Sequence, residues 1–472
     1  MDMNYKGKSV LVAGAGLSGI AAARFLLGRG ARVILSDNKK RVALEPAISD
    51  LIESAAHSSG ELILELGRHD CESFASANLV IASPGMPLSL PFFQISRIAG
   101  IPVIGEIELA YRHLKGKIVG ITGSNGKTTT TTLTAKLLTC AGLKAHAAGN
   151  IGMPLIEFVD GSTPDDIYVV ELSSFQLEAI KEFRPFAAAL LNLTPDHMDR
   201  YDGFEEYIAA KARIFMNEKS CDFAVLNADD PRTAAMAACV GAHTLLFSRT
   251  GEVSTGAFIR NGSVIFRDGY GEKELFPLGA VALKGAHNLE NVLASSLLAL
   301  SAGAPPESLE ASVRNFHGVE HRLEHAASID GVSYYNDSKA TNVDAVIKAL
   351  EAFPGGVHLI AGGRDKDVDF SALRAPVAER VKQLILIGEA AEKIRRTLFG
   401  ATDIRDAVSM SEAVEIGRAS AIPGDVVLLS PACASFDMFE NFEDRGRVFK
   451  EAVLGLAEKR DGKSERVTGY GI

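Results

Sequence analysis

Gly123-Ser124-Asn125-Gly126-Lys127-Thr128 has the residue types that hold a polyphosphate. Its glycines and small neighbours let backbone N–H groups close around phosphate oxygens. Lys127 adds a mobile positive charge and Thr128 a hydroxyl for Mg²⁺. The apolar run Ile118 to Ile121 leads in, and a predicted helix with Leu133, Leu137 and Leu138 on one face leads out. The positive end of that helix dipole falls at the same place. The common phosphate loop has a glycine five residues before the second one; here that position is Ile121, flanked by Gly120 and Gly123. A glycine-rich strand-to-helix turn is the plain alternative, but Gly-Lys-Thr opening a helix points to a nucleoside triphosphate, ATP in the first instance. Thr129, next on the helix, joins the same set.

A second glycine pattern, Gly14-Ala15-Gly16-Leu17-Ser18-Gly19, directly follows a predicted strand. Asp37 ends the next strand, where dinucleotide-binding folds carry an acidic ribose ligand. Alone, this favours NAD or FAD, and a nicotinamide-dependent oxidoreductase is the rival class. A UDP group over a helix N-terminus satisfies the same geometry, however, and the triphosphate loop that follows makes a nucleotide-linked substrate the better account. Ser83-Pro84-Gly85 ends a later strand on the same carboxyl edge, unless it is only a turn.

Further candidates follow predicted strands. Glu171 closes Tyr168-Val169-Val170-Glu171, one strand on from the phosphate loop, and is placed to hold Mg²⁺; a solvated strand-end carboxylate is the alternative. His197, in Asn192-Leu193-Thr194-Pro195-Asp196-His197-Met198-Asp199, is by spacing either a metal ligand or a structural group. Lys211 lies on a predicted helix after Asp202, with a capping box of Asp202 and Glu205. It falls on the apolar stripe, three residues after Ile208 and four before Phe215. Lysines usually snorkel off such a stripe. One held there is desolvated, and its neutral amine can react with CO₂ to give an anionic carbamate. Asn288 and Asn291 open a helix over His287 to Ala302 and could read an adenine edge or simply cap it. His321-Arg322, Asn336-Asp337-Ser338-Lys339-Ala340-Thr341-Asn342, Gly362-Gly363-Arg364-Asp365-Lys366 and Ser430-Pro431-Ala432-Cys433-Ala434-Ser435-Phe436-Asp437 complete the set. Cys433 has no accompanying base and reads as a buried small residue.

Three βα blocks must position these groups, as expected for parallel sheets covered by helices. The first, over residues 1–114, has strand-like runs at Val10–Ala13, Val33–Leu35, Leu79–Ala82 and Val103–Ile104. The second, over 115–318, opens with the phosphate-loop strand. It adds runs at Tyr168–Leu172, Ala187–Leu191, Ala224–Leu226 and Thr244–Phe247, then a hairpin around Asn261-Gly262. The third, over 319–472, has runs at Val332–Tyr335, Val357–Ala361, Leu384–Ile387 and Val426–Leu429. The predicted fold class is α/β in three domains. The first is a Rossmann-like UDP-binding domain, the second a P-loop ATPase-type parallel sheet with an added β-hairpin, and the third Rossmann-like again.

A net charge of −10 argues against nucleic acid as a partner, so an anionic ligand must be held locally. Five scattered cysteines without CxxC spacing read as reduced thiols, and no apolar run is long enough for membrane insertion. A cytoplasmic location is expected, and a monomer.

Gly-Ser-Asn-Gly-Lys-Thr-Thr-Thr resembles the Mur ligases and folylpolyglutamate synthetases, which couple ATP hydrolysis to amide-bond formation. The resemblance extends over essentially the whole chain, with the motifs in Mur ligase order. Folylpolyglutamate synthetases lack the first type of domain. Ala82-Ser83-Pro84-Gly85, the 337–342 and 430–437 segments, and Asn441-Phe442 resemble the members that add D-glutamate; the Asp-Asn-Pro-Arg motif of those adding a diamino acid is absent. The resemblance implies an ATP-dependent peptide synthase of peptidoglycan precursor synthesis, with UDP-N-acetylmuramoyl-L-alanine and D-glutamate as substrates. Sibling Mur or polyglutamate ligases adding another amino acid are the competitors. Position by position, it implies Lys127 and Thr128 on the β/γ-phosphates, and Thr128 and Glu171 on a first Mg²⁺. By the same resemblance His197 and carbamylated Lys211 would serve a second Mg²⁺. Asn288, Asn291, Arg322 and Asp337 would contact ATP, and Lys339 would lie near the reacting centre. The turn Ala15, Gly16, Leu17 and Ser18 would take UDP with Asp37 and Ser83, Pro84 and Gly85. Asn150 would contact the muramoyl group, and Thr341, Lys366, Ser435 and Phe442 would grip D-glutamate.

Overall fold

The computed structural model describes residues 4–464 apart from 199, 284, 366 and 367. The chain forms two compact units, Met1–Ala280 with Glu290–Val313, and Val281–Leu289 with Arg314–Ile472.

The first unit holds two sheets. In the first sheet are β1 (Ser9–Ala13), β2 (Arg32–Asp37), β3 (Glu61–Leu66), β4 (Leu79–Ala82) and β5 (Val103–Gly105), in the order β3-β2-β1-β4-β5. All four pairings are parallel. Val10, Leu11 and Val12 of β1 have no exposed surface, as a strand covered by helices on both faces requires. Strand order reverses at β1, which opens a crevice beyond the carboxyl ends of β1 and β4.

The second sheet contains β6 (Lys117–Thr122), β7 (Lys144–Gly149), β8 (Asp166–Glu171), β9 (Ala187–Leu190), β10 (Phe223–Asn227) and β11 (His243–Ser248). β12 (Gly256–Arg260), β13 (Ser263–Asp268) and β14 (Gly271–Pro277) complete it, and the order is β14-β13-β12-β11-β10-β9-β6-β8-β7. β12, β13 and β14 pair antiparallel, and the predicted hairpin turn is there, with φ of 51° at Asn261 and 78° at Gly262. Helix Lys127–Cys140 leaves β6, and Leu133, Leu137 and Leu138 are fully buried. Each contributes roughly 1.5–3 kcal/mol by leaving water, enough to hold the helix start against the sheet edge.

Two carboxylates on helix Glu106–Tyr111 tie the sheets together. Glu108 accepts the backbone N–H of Lys181, Glu182 and Phe183, and Glu106 Oε1 accepts that of Ile156 at 2.7 Å.

The second unit has β15 (Glu324–Ile329), β16 (Val332–Asn336), β17 (Val357–Gly362), β18 (Val381–Ile387), β19 (Asp403–Asp406) and β20 (Val426–Leu429), ordered β15-β16-β20-β17-β18-β19. Only the β15–β16 pairing is antiparallel.

One local expectation is corrected. Helix Phe204–Ala212 has Gly203 at its N-cap and no side-chain cap, so Asp202 and Glu205 form no capping box. The Asp202 N–H instead donates to the Glu206 carboxylate at 2.8 Å.

Candidate functional site

Beyond β1 and β4 lies a cavity of about 670 Å³, lined among others by Gly16, Leu17, Ser18, Asp37, Ser83, Pro84 and Gly85. Of the residues expected to hold UDP on this sheet, only Ala15 is withdrawn from the wall: it is buried, and its N–H donates to Asp37 Oδ2 at 2.8 Å. Asp37 Oδ1 accepts the Lys39 N–H, so the turn and the acidic strand end are locked together. The N-cap of helix Leu17–Gly28 is Gly16, with no side-chain cap, which leaves the helix start open toward an anion. Gly19 has no alternative, because a Cβ there would stand 1.9 Å from the Gly14 carbonyl oxygen.

The phosphate loop follows β6, between β8 and β9. Asn192 fixes it from β9's end: its Oδ1 accepts the Asn125 N–H at 2.8 Å and its Nδ2 donates to the Asn125 carbonyl. Ser124 Oγ donates to the Thr194 carbonyl and pairs with the Tyr207 hydroxyl. Gly126 is left-handed at φ 84°, and a Cβ there would meet Asn291 Oδ1 at 2.2 Å. Asn291 also accepts from Thr130 Oγ1, so it braces the loop's helix.

Thr128 Oγ1 donates to Glu171 Oε2 at 2.7 Å, and Asn150 Nδ2 donates to Glu171 Oε1 at 2.9 Å. Glu171 is 1% exposed. A hydroxyl and a carboxylate thus converge at the start of the phosphate-loop helix, the hard oxygen donors that Mg²⁺ prefers. Lys211 is 2% exposed, with Nζ donating to the Gly123 carbonyl at 2.8 Å, the same oxygen that receives Lys127 Nζ. Burial first, then the neighbouring Lys127 ammonium, hold the Lys211 amine well below its ordinary value. His197 stands on the loop after β9 with a left-handed φ of 57°, its ring edge-on to Phe175 at 4.8 Å.

In the second unit Asp337 is buried at the end of β16, accepting from Leu323 N–H and Ser430 Oγ. Burial raises its pKa to about 7, against the lowering effect of those bonds and of Arg322. Lys339 Nζ lies 5.0 Å over the Phe442 ring. Thr341 N–H donates to the Lys339 carbonyl, and Ser435 is buried. Asn288, at the start of helix Ala286–Ser301, is buried too. Lys366 lies outside the described residues.

Comparison with known proteins agrees with this geometry. The chain is 48% identical over 97% of its length to a UDP-N-acetylmuramoylalanine--D-glutamate ligase of Koribacter versatilis, 99% of which is covered. It is 50% identical over 96% to the enzyme of the same name from Acidobacterium capsulatum, 97% of which is covered. The chain belongs to the Mur ligase family. Three Mur ligase domain families match in order: the Mur ligase MurD-like N-terminal domain over residues 8–105, the Mur ligase middle domain over 121–299, and the Mur ligase glutamate ligase domain over 321–433. Two solved Mur-type structures share the fold at 18% identity. One is a pseudomurein peptide ligase type C from Methanothermus fervidus (TM-score 0.59, 95% of this chain and 100% of that one). The other is a UDP-N-acetylmuramate-alanine ligase from Thermotoga maritima (TM-score 0.57, 95% and 99%). A nicotinamide-dependent oxidoreductase is thereby displaced as the rival class.

In this Mur ligase, several groups at the site escape a reading of motifs. His69, Lys39 and Phe92 line the first cavity, but they come from stretches with no pattern to mark them. Asn192 and Tyr207 fall inside segments singled out for His197 and Lys211, yet only the folded loop turns them toward Ser124 and Asn125.

Proposed function

We propose that this Mur ligase joins D-glutamate to UDP-N-acetylmuramoyl-L-alanine at the expense of ATP, releasing ADP and phosphate, as a step in peptidoglycan precursor synthesis. The observation that carries this is the near-full-length identity to D-glutamate ligases, on a chain whose phosphate loop, Thr128 and Glu171 converge as such chemistry requires. Functional domains are taken as 1–114 for the UDP substrate, 115–318 for ATP and 319–472 for the amino acid.

A carboxylate is a poor acyl donor because its leaving group is oxide. The alanyl carboxylate oxygen attacks the γ-phosphorus, an O–P bond forms, and the bond to ADP breaks. The loop's N–H groups and Lys127 offset the charge that two approaching anions build up. The amine of D-glutamate then attacks the acyl carbon, phosphate departs from the tetrahedral intermediate, and the nitrogen loses a proton. Thr128 and Glu171 would hold one Mg²⁺, and His197 and Lys211 a second; when bound, the metal neutralises phosphoryl charge. The depressed Lys211 amine supports carbamylation: its lone pair adds to CO₂, one proton leaves, and a carboxylate-like ligand results. Asn288, Asn291, Arg322 and Asp337 are assigned to ATP, and Lys339 to the reacting centre. Ala15, Gly16, Leu17, Ser18, Asp37, Ser83, Pro84, Gly85 and Asn150 are assigned to the UDP substrate. Thr341, Lys366, Ser435 and Phe442 are assigned to D-glutamate.

Among the described residues no helix is long and apolar enough to cross a membrane, and Cys71, Cys140, Cys221, Cys239 and Cys433 form no disulfide. A monomer working in the cytoplasm is part of the same proposal. The deciding experiment measures phosphate release from ATP with UDP-N-acetylmuramoyl-L-alanine against a panel of D- and L-amino acids. Release dependent on both the UDP substrate and D-glutamate is expected. Release without an amino acid, or equal release with L-glutamate, overturns the assignment.

A further inference from the structure

Arg200 lies three residues beyond His197, and its backbone N–H donates to the His197 carbonyl at 3.0 Å, closing the turn that sets the histidine. Its side chain is 10% exposed and reaches the nucleotide cavity's wall. Nη1 donates to the Pro84 carbonyl at 3.1 Å, and Nη2 to the Met86 carbonyl at 3.4 Å and to Glu178 Oε2 at 3.0 Å. Pro84 and Met86 both line the 670 Å³ cavity. The guanidinium carbon stands 4.0 Å over the Phe175 ring, and that ring is the one packed edge-on against His197. Glu178 is fixed from its other oxygen by the Tyr201 hydroxyl at 2.6 Å.

Two carbonyls and a carboxylate are acceptors only, and a planar fork of donors that also stacks on an aromatic face can serve all of them at once. A lysine ammonium has neither the span nor the flat face. One largely covered side chain thus joins the turn at the nucleotide cavity to the loop and ring that orient His197.

We propose that Arg200 is a positioning residue for the ligase reaction, coupling the uridine-diphosphate turn 83–86 to the placement of His197. It touches no reacting atom. The proposal presupposes that the cavity takes the UDP substrate and that His197 serves a metal, as assigned above.

Steady-state kinetics of the full chain test it, with KM for the UDP substrate, KM for D-glutamate and the Mg²⁺ concentration for half-maximal rate measured separately. Charge-assisted bonds to two carbonyls are lost in Arg200→Met, so KM for the UDP substrate and the Mg²⁺ requirement rise together by roughly ten-fold or more, while KM for D-glutamate stays within two-fold. Arg200→Lys keeps charge and stem and recovers part of both; it decides the matter if Arg200→Met does not fold. UDP-substrate KM and Mg²⁺ requirement at wild-type values overturn the coupling, as does a fall in kcat alone with every KM unchanged, the mark of a merely structural role. Asp37→Ala is the control. If it too leaves KM for the UDP substrate unchanged, the cavity assignment itself fails; if it raises KM and the Arg200 variants do not, only the coupling fails.

Discussion

Glu106 is a carboxyl caught between the two sheets of the first unit, 2% exposed, and its folding cost is a function of pH. Oε1 accepts the Ile156 N–H, but Oε2 is buried with no hydrogen-bond partner. Burial dominates, raising the pKa from the ordinary 4.5 to about 7, against a smaller lowering by the Ile156 bond. Between those two values the folded chain keeps a proton that the unfolded chain has released. Its contribution is therefore full below pH 4.5, is lost as pH rises through about 7, and changes no further above that. Glu106→Gln keeps an acceptor for Ile156 and cannot ionise. Relative to wild type, the variant should gain about 2.5 kcal/mol in stability between pH 5 and pH 8, from the displaced pKa. In a chain of this size that is roughly 2–3 °C in Tm. The assay is thermal unfolding of both proteins at pH 5 and pH 8 in the same ionic strength, read as the difference between them at each pH. A difference that is the same at both values, or wild type gaining on the variant as pH rises, refutes the buried ionisable carboxyl.

Lys211→Arg should abolish phosphate release by about two orders of magnitude or more, because an arginine cannot become neutral and add CO₂. Stripping bicarbonate and CO₂ from the buffer should slow the wild type reversibly, and indifference to that treatment counts against the carbamate. Gly126→Ala places a Cβ 2.2 Å from Asn291 Oδ1 at a left-handed φ of 84°; it should weaken ATP binding by roughly ten-fold or more, measured by calorimetry, and wild-type affinity would contradict the loop geometry. Glu171→Gln keeps the shape that meets Thr128 and Asn150 but removes the charge. The Mg²⁺ needed for half-maximal rate should rise by roughly ten-fold or more, with KM for D-glutamate unchanged, and an unaltered Mg²⁺ titration removes Glu171 from the metal site.

The residues alone determined the alternation of strand and helix, the two glycine turns and their order, and the anionic ligands these turns suit. Central strands were legible because both faces are covered: Val10–Val12 and Val357–Ala361 are nearly unbroken apolar runs. The strands that left no mark, β3, β7, β14, β15 and β19, all lie at sheet edges. There one side is open, and sequences such as Glu-Leu-Ile-Leu-Glu-Leu or Asp-Ile-Arg-Asp need not be apolar throughout. The glycine turns proposed to bind phosphate were readable as turns because a loop's conformation is set by neighbours in the chain. Partnerships across long separations were not. Glu171 with Thr128, Lys211 with Gly123, and Arg200 with Pro84 join residues 43, 88 and 116 positions apart. Only the packing of sheets and helices brings such groups within hydrogen-bond reach, and burial, a property of the folded whole, is what pushes the pKa of the Lys211 amine down and that of the Glu106 carboxyl up.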